Sequence, residues 1–357
     1  MARGPGDPIV LAQARPATPT AATEGETGNV SRVNNWTVGV AGGPIDGTFI
    51  RFAAELAKAL DDGENLRVLP IVTYGASENI SDLLYLKGVD VAITHADALE
   101  EFRKENKYSN IEKRINYISE MYISEYHFYV RPEIKSLKDL DGKKVGLNVK
   151  GSSANLADKM IFQRLGITIE PVYIHHTAAI EKMKTGELAG LVHVVGKPVD
   201  VFKKEASDQG FHFLPLEYSD KFSDYYLPTA LTNEDYPNLI KPGEKINTIG
   251  VPVVLAVYNW PKGSDRFRRV ERFIQYYFSR FETLKKPPYH AKWREINLSA
   301  QVPSWTRYWV AEEAHAKWNN TFPDTQASSA TFSSPAADPQ DQKLYQEFMA
   351  WKKSHAN

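Results

Sequence analysis

The chain has no cysteine anywhere in its 357 residues. That excludes disulfides, thiolate metal sites, iron–sulfur clusters, cysteine nucleophiles and lipid attachment through a thiol. It also lacks an excess of either charge. Against 43 basic side chains stand 44 acidic ones, so no overall field gathers nucleic acid or an anionic membrane. No run approaches the ~18 consecutive apolar residues of a membrane span. The opening segment, 1–28, has no basic-then-apolar secretory layout, and Pro5 and Pro8 crowd its start. The expectation is a native leader that this sequence does not include. Patterns of catalysis are missing as well: there is no G-x-S-x-G, no H-E-x-x-H and no DNA-reading helix. His175 and His176 are adjacent, so on a strand they point to opposite faces and cannot share one ion. They read as ordinary surface histidines.

What is present is one α/β half written twice, about 100 residues apart. Trp36–Val40 reads as a buried strand entering the glycine-rich run Ala41–Thr48, followed by a helix to about Leu60 and a strand near Leu66–Val72. A second helix spans Glu78–Lys87, stops at Gly88, and gives way to a strand over Val89–Ile93. The second copy begins with a strand at Lys144–Val149, which enters Lys150-Gly151-Ser152-Ser153. A helix to Leu165, a stop at Gly166, a strand, a helix over Ala178–Thr185, a stop at Gly186 and a strand over Leu188–Val195 complete it. Two such lobes facing each other place function in the groove between them.

The remaining chain divides by composition. Residues 1–32 read as a disordered arm, 33–126 as lobe 1, 127–226 as lobe 2, and 227–288 as a return to lobe 1 with a long helix. Residues 289–357 read as an aromatic-rich helical extension and tail, with a linker over 327–341 and a last short helix over 343–353. In the long helix, Ser264 is the N-cap and Phe267, Val270, Ile274, Tyr277, Phe278 and Phe281 share one side. Arg266, Arg268, Arg269, Arg272 and Arg280 are expected on its solvated face. The fold class is thus α/β, with two similar lobes, mixed sheets, crossing hinge strands and a helical C-terminal extension.

Three polar loops occupy corresponding places in the repeat. Gly42-Gly43 and Gly47-Thr48 follow a strand and open a helix, a setting for a carboxylate or phosphate at free N–H groups, and equally a tight strand–helix turn. Gly151-Ser152-Ser153 begins another helix; its lysine precedes the glycine, so the run is not a Walker loop. Its hydroxyls serve either an anionic group or simple N-capping. Thr73–Asn79 is the third, with Ser77 as a natural cap and Asn79 able to point its amide into the groove. His95, beside Thr94 and Asp97 after a strand, is placed for the groove or for structure.

With these loops in hand, the chain resembles the TAXI family, the solute-binding subunits of tripartite ATP-independent periplasmic (TRAP) transporters. The resemblance spans about 36–284. It is carried by Gly42-Gly43…Gly47-Thr48-Phe49, Gly75–Asn79, Gly88–Ala92, Ser136–Val145, Gly151–Ala154 and Val194–Pro198 in that order. It implies a type II periplasmic-binding-protein-like pair of lobes that closes on a small ligand, an organic acid or amino acid, and presents it to membrane permease subunits. Carried over by position, the ligand contacts are Thr48, Phe49, Ser77, Asn79, Ser152, Ser153 and Gly196. Gly43, His95 and Lys197 join them from the same loops. The resemblance implies an extracytoplasmic binding protein rather than an enzyme, with no cofactor, no metal and no nucleic acid partner. A receptor for an ABC importer and a ligand sensor whose tail binds another protein are the alternatives. Porphobilinogen deaminase shares such lobes but needs a cysteine to hold its cofactor.

Overall fold

The computed structural model describes residues 24–45, 47–104, 110–150, 152–205, 209–223, 225–302 and 304–321. After α1 (Glu24–Asn35), lobe 1 is built from β1 (Thr37–Ala41), α2 (Thr48–Leu60), β2 (Arg67–Ile71), α3 (Ala76–Tyr85) and β3 (Val91–His95). The apolar side chains of α2 fall at helical spacing, so Phe49, Phe52, Ala53, Leu56 and Leu60 form one buried face. Two short helices, α4 (Ala98–Lys104) and α5 (Ile111–Arg114), lead into β4 (Ile115–Val130). Lobe 2 repeats the plan with β5 (Lys144–Leu147), α6 (Ser153–Leu165), β6 (Glu170–Val172), α7 (His176–Lys184) and β7 (Gly190–Val195). Then come α8 (Asp200–Lys203), β8 (His212–Leu214), β9 (Leu227–Thr232), β10 (Lys245–Tyr258), α9 (Asp265–Leu284) and α10 (Trp309–Thr321).

The strand order is β2-β1-β3-β10-β4-β7-β5-β6, so the triplets β2-β1-β3 and β6-β5-β7 flank two long strands as mirror copies. Pairs inside each triplet are parallel, whereas β3–β10, β10–β4 and β4–β7 are antiparallel. The sequence divides β4 into two pieces, Ile115–Met121 and Tyr126–Val130. The structure runs them together as one 16-residue strand, buried at all but two positions. Such burial follows from crossing both lobes, where each face meets a core. In the second half, alternation sends Tyr126, Phe128 and Val130 into one lobe-2 core and Tyr129 into the other. The lobe boundary expected at residue 126 therefore lies inside this strand. Pro252 sits mid-strand in β10, and the β10–β4 register shifts between Pro252 and Val254, as expected where a residue has no N–H to donate.

Three sequence expectations change. The disordered arm expected over 1–32 lies outside the described residues as far as 23, but from Glu24 the chain is helical, with an exposed surface over residues 28–35. The arginines of α9 do more than face solvent. Arg269 and Arg266 reach buried Asp90 at 3.3 and 3.8 Å, Arg272 bonds Asn65 O, and Arg280 bonds the Ala59 and Leu60 carbonyls at the end of α2. Only Arg268 fits the simple expectation, pairing with exposed Asp265. Finally, the segment after Pro288, expected as a helical extension appended to the lobes, is part of the lobe-1 core. Trp293, Trp305, Tyr308 and Trp318 are members of the lobe-1 core, and Tyr117 on β4 exchanges backbone bonds with Thr306 and Tyr308. The linker over 327–341 and the helix over 343–353 lie outside the described residues.

Candidate functional site

A cleft with about 420 Å³ of space, part of it open to solvent, lies between the lobes. Lobe 1 supplies Pro44, Gly47, Thr48 and Phe49 from the β1–α2 connection, Tyr74 from the β2–α3 connection, and His95 at the end of β3. The crossing strand β4 contributes Ser124. Lobe 2 supplies Asn148 after β5, Ser152 at the start of α6, and His193, Val194 and Val195 from β7. The N-termini of α2 and α6, each 13 residues long, border it. Each contributes roughly 0.3–1 kcal/mol toward a negative group.

Of the residues named from sequence, Thr48, Phe49, His95 and Ser152 line this cleft. Thr48 Oγ1 also donates to Gly196 O at 3.4 Å, and a Cβ on Gly196 would stand 2.8 Å from Tyr122 Cε2. Gly196 is therefore where the lobes touch, and only a residue without a side chain fits there. Gly43 and half-buried Ser77 are not among the lining residues. Ser153 opens α6, and its side chain is outside the described atoms.

Two expected contacts are engaged elsewhere. Asn79 is fully buried: its amide donates to Gly42 O and Ile93 O, and its carbonyl accepts from Thr73 Oγ1 at 2.6 Å. It clamps the first loop to the end of β3 instead of facing the groove. Gly75, at φ 131°, sets the turn that delivers this helix. Lys197 points away as well, its Nζ bonding Asp235 Oδ2 at 2.9 Å and Ala230 O at 2.5 Å.

Sequence reasoning missed Ser124, Asn148 and His193. A signal existed for the last, a lone histidine inside the apolar run Leu188–Val195. Its strand is the lobe-2 counterpart of β3, which carries His95. The adjacent pair was also misjudged: His176 begins α7 instead of lying on a strand, is 1% exposed, and stacks on His193 at 3.6 Å. Behind them, His127 Nε2 meets Tyr236 OH at 2.8 Å.

The cleft is short of internal partners. Both ring nitrogens of His95, Nδ1 of His193 and Oγ of Ser124 are buried with no protein hydrogen bond. Buried polar atoms normally have one. Burial lowers the His95 imidazole to about 3, so it is neutral at pH 7. His193 is pushed well below the ordinary histidine range by burial, then by His176 and His127. Among the described residues, no cluster of three His, Asp or Glu side chains can hold a metal ion, and no helix is long and apolar enough to cross a membrane.

Outside the cleft, the lobes are tied at two further places. Tyr226 OH donates to Asp97 Oδ2 at 3.1 Å. Glu125, on β4 at the crossing, accepts from the backbone N–H of Lys197 at 2.9 Å and from the buried ammonium of Lys292.

A family model described as NMT1-like matches residues 40–292, most of the chain and both lobes. The chain belongs to the NMT1-like family. No curated protein sequence matches it. Among solved structures, this NMT1-like chain is similar to a protein described as a periplasmic transporter, at 11% identity and a TM-score of 0.48, covering 81% of this chain and 96% of that one. A TctC solute binding protein from Polaromonas is 14% identical, with 80% and 97% covered and a TM-score of 0.41. The methionine binding protein MetQ is 14% identical, with 80% and 94% covered and a TM-score of 0.35.

Proposed function

We propose that this NMT1-like protein is an extracytoplasmic solute receptor that captures a small molecule between its lobes and delivers it to a membrane permease of the TRAP type. The carrying observation is convergence. Polar groups from lobe 1, from the crossing strand and from lobe 2 meet at one cleft, buried and without protein partners. A catalyst would need a nucleophile or an acid–base pair within hydrogen-bond reach. The described cleft residues instead offer scattered donors and acceptors, which suits affinity without chemistry. A Kd near 1 μM corresponds to about −8 kcal/mol, within reach of a few hydrogen bonds in a largely dry groove after closure is accounted for. A ligand favours the closed form only through contacts made with both lobes together. Thr48, Phe49 and His95 on one side, with Ser152 and His193 on the other, are the residues positioned to make them.

The test is native mass spectrometry of freshly purified protein, followed by a thermal-shift panel of organic acids, amino acids and uncharged polar molecules such as their amides. The expected result is a retained small molecule, or stabilisation by about 2.7 kcal/mol at a hundredfold excess over Kd. No retained molecule and no stabilisation across the panel would end the receptor reading. Uptake by vesicles carrying a TRAP permease, dependent on this protein, tests the transporter assignment separately.

A further inference from the structure

The electrical character of the cleft narrows the ligand class, an inference that rests on the receptor reading above. Among the described residues, no Lys, Arg, Asp or Glu lines the cleft. The half-buried ammonium of Lys197 is matched by Asp235, and the buried ammonium of Lys292 by Glu125 and Glu295. Neither is left over for a ligand. What the cleft offers is neutral: the imidazoles of His95 and His193, the hydroxyls of Thr48, Ser124 and Ser152, and the Asn148 amide. His95 belongs to β3 and His193 to β7, so one molecule meets both rings only when the lobes are together.

Among the described residues, the neighbours of these rings bring no unpaired cation into the cleft. Phe49 of α2 stands edge-on to His95 at 5.0 Å, and Val253 of β10 is its register partner. Asp97, two residues on, accepts from the Tyr226 phenol, which leaves its negative charge in place. Asp158 of α6 is buried with neither oxygen bonded, and burial pushes its pKa up. Both make a second anion less welcome. Behind His193 are His176 of α7 and His127 of β4, the latter bonded to Tyr236. Tyr74 and buried Tyr122 are the nearby phenols, and burial holds Tyr122 in its neutral form. A carboxylate placed here has only partial charges and neutral donors for company, and an uncompensated buried anion is expelled or protonated.

We propose that this cleft binds a small polar molecule carrying no net charge in the complex, read by the two imidazoles of His95 and His193, and that a monocarboxylate enters only with one proton. The proton comes from solvent and rests on His95 or on the acid itself, leaving the complex neutral. A dicarboxylate needs two protons and is disfavoured at neutral pH.

Isothermal titration calorimetry with succinamide, succinamate and succinate, one carbon frame in three charge states, tests this in the full chain. Titrations at pH 6, 7 and 8, in two buffers of different ionisation enthalpy, count the protons. Succinamide is expected to bind independently of pH. Succinamate is expected to take up one proton and to weaken about tenfold per pH unit, with succinate weakest at pH 7. His95→Asn and His193→Asn should each weaken succinamide binding, with folding checked by thermal unfolding. If neither variant folds, the wild-type charge series decides alone. Succinate binding more tightly than succinamide at pH 7, or succinamate binding without proton uptake, overturns the inference. Failure of all three probes overturns it too. A larger or anionic molecule recovered by native mass spectrometry would then leave the receptor reading standing, whereas recovery of nothing removes both.

Discussion

Replacing Lys292 with methionine removes one partner of a buried ion pair and keeps most of the side-chain volume. Glu125 and Lys292 are each 1% exposed, and Glu125 lies on β4 where the strand passes between lobes. Burial pushes the Glu125 carboxyl up, and Lys292 and then Lys197 pull against it. Burial likewise opposes the Lys292 ammonium, but Glu125 and Glu295 outweigh it and hold its pKa above the ordinary lysine value. Without the ammonium, the carboxylate keeps only the Lys197 backbone N–H, a loss of about 3–5 kcal/mol for a broken buried pair.

The pH dependence has a definite sign. In the variant, the folded pKa of Glu125 rises further above its unfolded value of about 4.3. Stability is therefore fully present below the unfolded pKa and is lost as pH rises through the folded one. The variant should stand nearer to wild type at pH 5 than at pH 7. Lys292 itself stays protonated throughout this window in the wild type and adds no slope. Urea unfolding followed by tryptophan fluorescence at both pH values measures the gap. Glu125→Gln combined with Lys292→Met should recover much of the loss, since no charge then remains buried. A loss under about 1 kcal/mol, an equal loss at both pH values, or a double variant as unstable as the single one would refute the reasoning.

Three other perturbations separate structural from ligand-contacting roles. Asn79→Ala takes the amide from the Ile93 carbonyl and from Gly42 O, which keeps Thr73 Oγ1 at 3.2 Å, and should cost about 1–3 kcal/mol, the range for one unsatisfied group. Ligand affinity of the folded protein should change little; a large affinity loss at unchanged stability would return Asn79 to the groove. Gly196→Ala drives a methyl to 2.8 Å from Tyr122 Cε2 and 3.4 Å from Thr48 Cγ2. Overpacking of about 1–3 kcal/mol in the closed form should weaken binding by roughly 5- to 150-fold, and a Kd within twofold of wild type would show that the lobes need not meet there. Ending the chain after Pro288 removes Trp293, Trp305, Tyr308 and Trp318 from the lobe-1 core. At about 1.5–3 kcal/mol each, that loss rivals the whole stability of a domain. A truncated chain that unfolds cooperatively at the wild-type temperature would contradict it.

The repeat was legible because its signals are local. Apolar periodicity, a capping serine and a stopping glycine need no distant partner, and Ser136, Ser152, Ser264 and Gly166 sit at helix ends where such residues belong. The joining of β4 into one strand was hidden, because Glu120, Ser124 and Glu125 interrupt its apolar pattern. The burial of Glu125 is made tolerable by contacts that arrive from far along the chain, from the Lys197 backbone and the Lys292 ammonium.

The site divides in the same way. Glycine, serine and threonine at strand–helix junctions are set by sequence, since a positive φ, a free N–H or a cap depends on a few neighbouring residues. Thr48 and Ser152 accordingly lie at the starts of α2 and α6, where they line the cleft. Whether a polar side chain faces a ligand or braces the fold depends on which carbonyls the folded chain brings within about 3 Å of it. That tertiary choice turned Asn79 inward to Gly42 and Ile93, gave Lys197 to Asp235, and left both ring nitrogens of His95 and Nδ1 of His193 without a protein hydrogen bond beside one cleft.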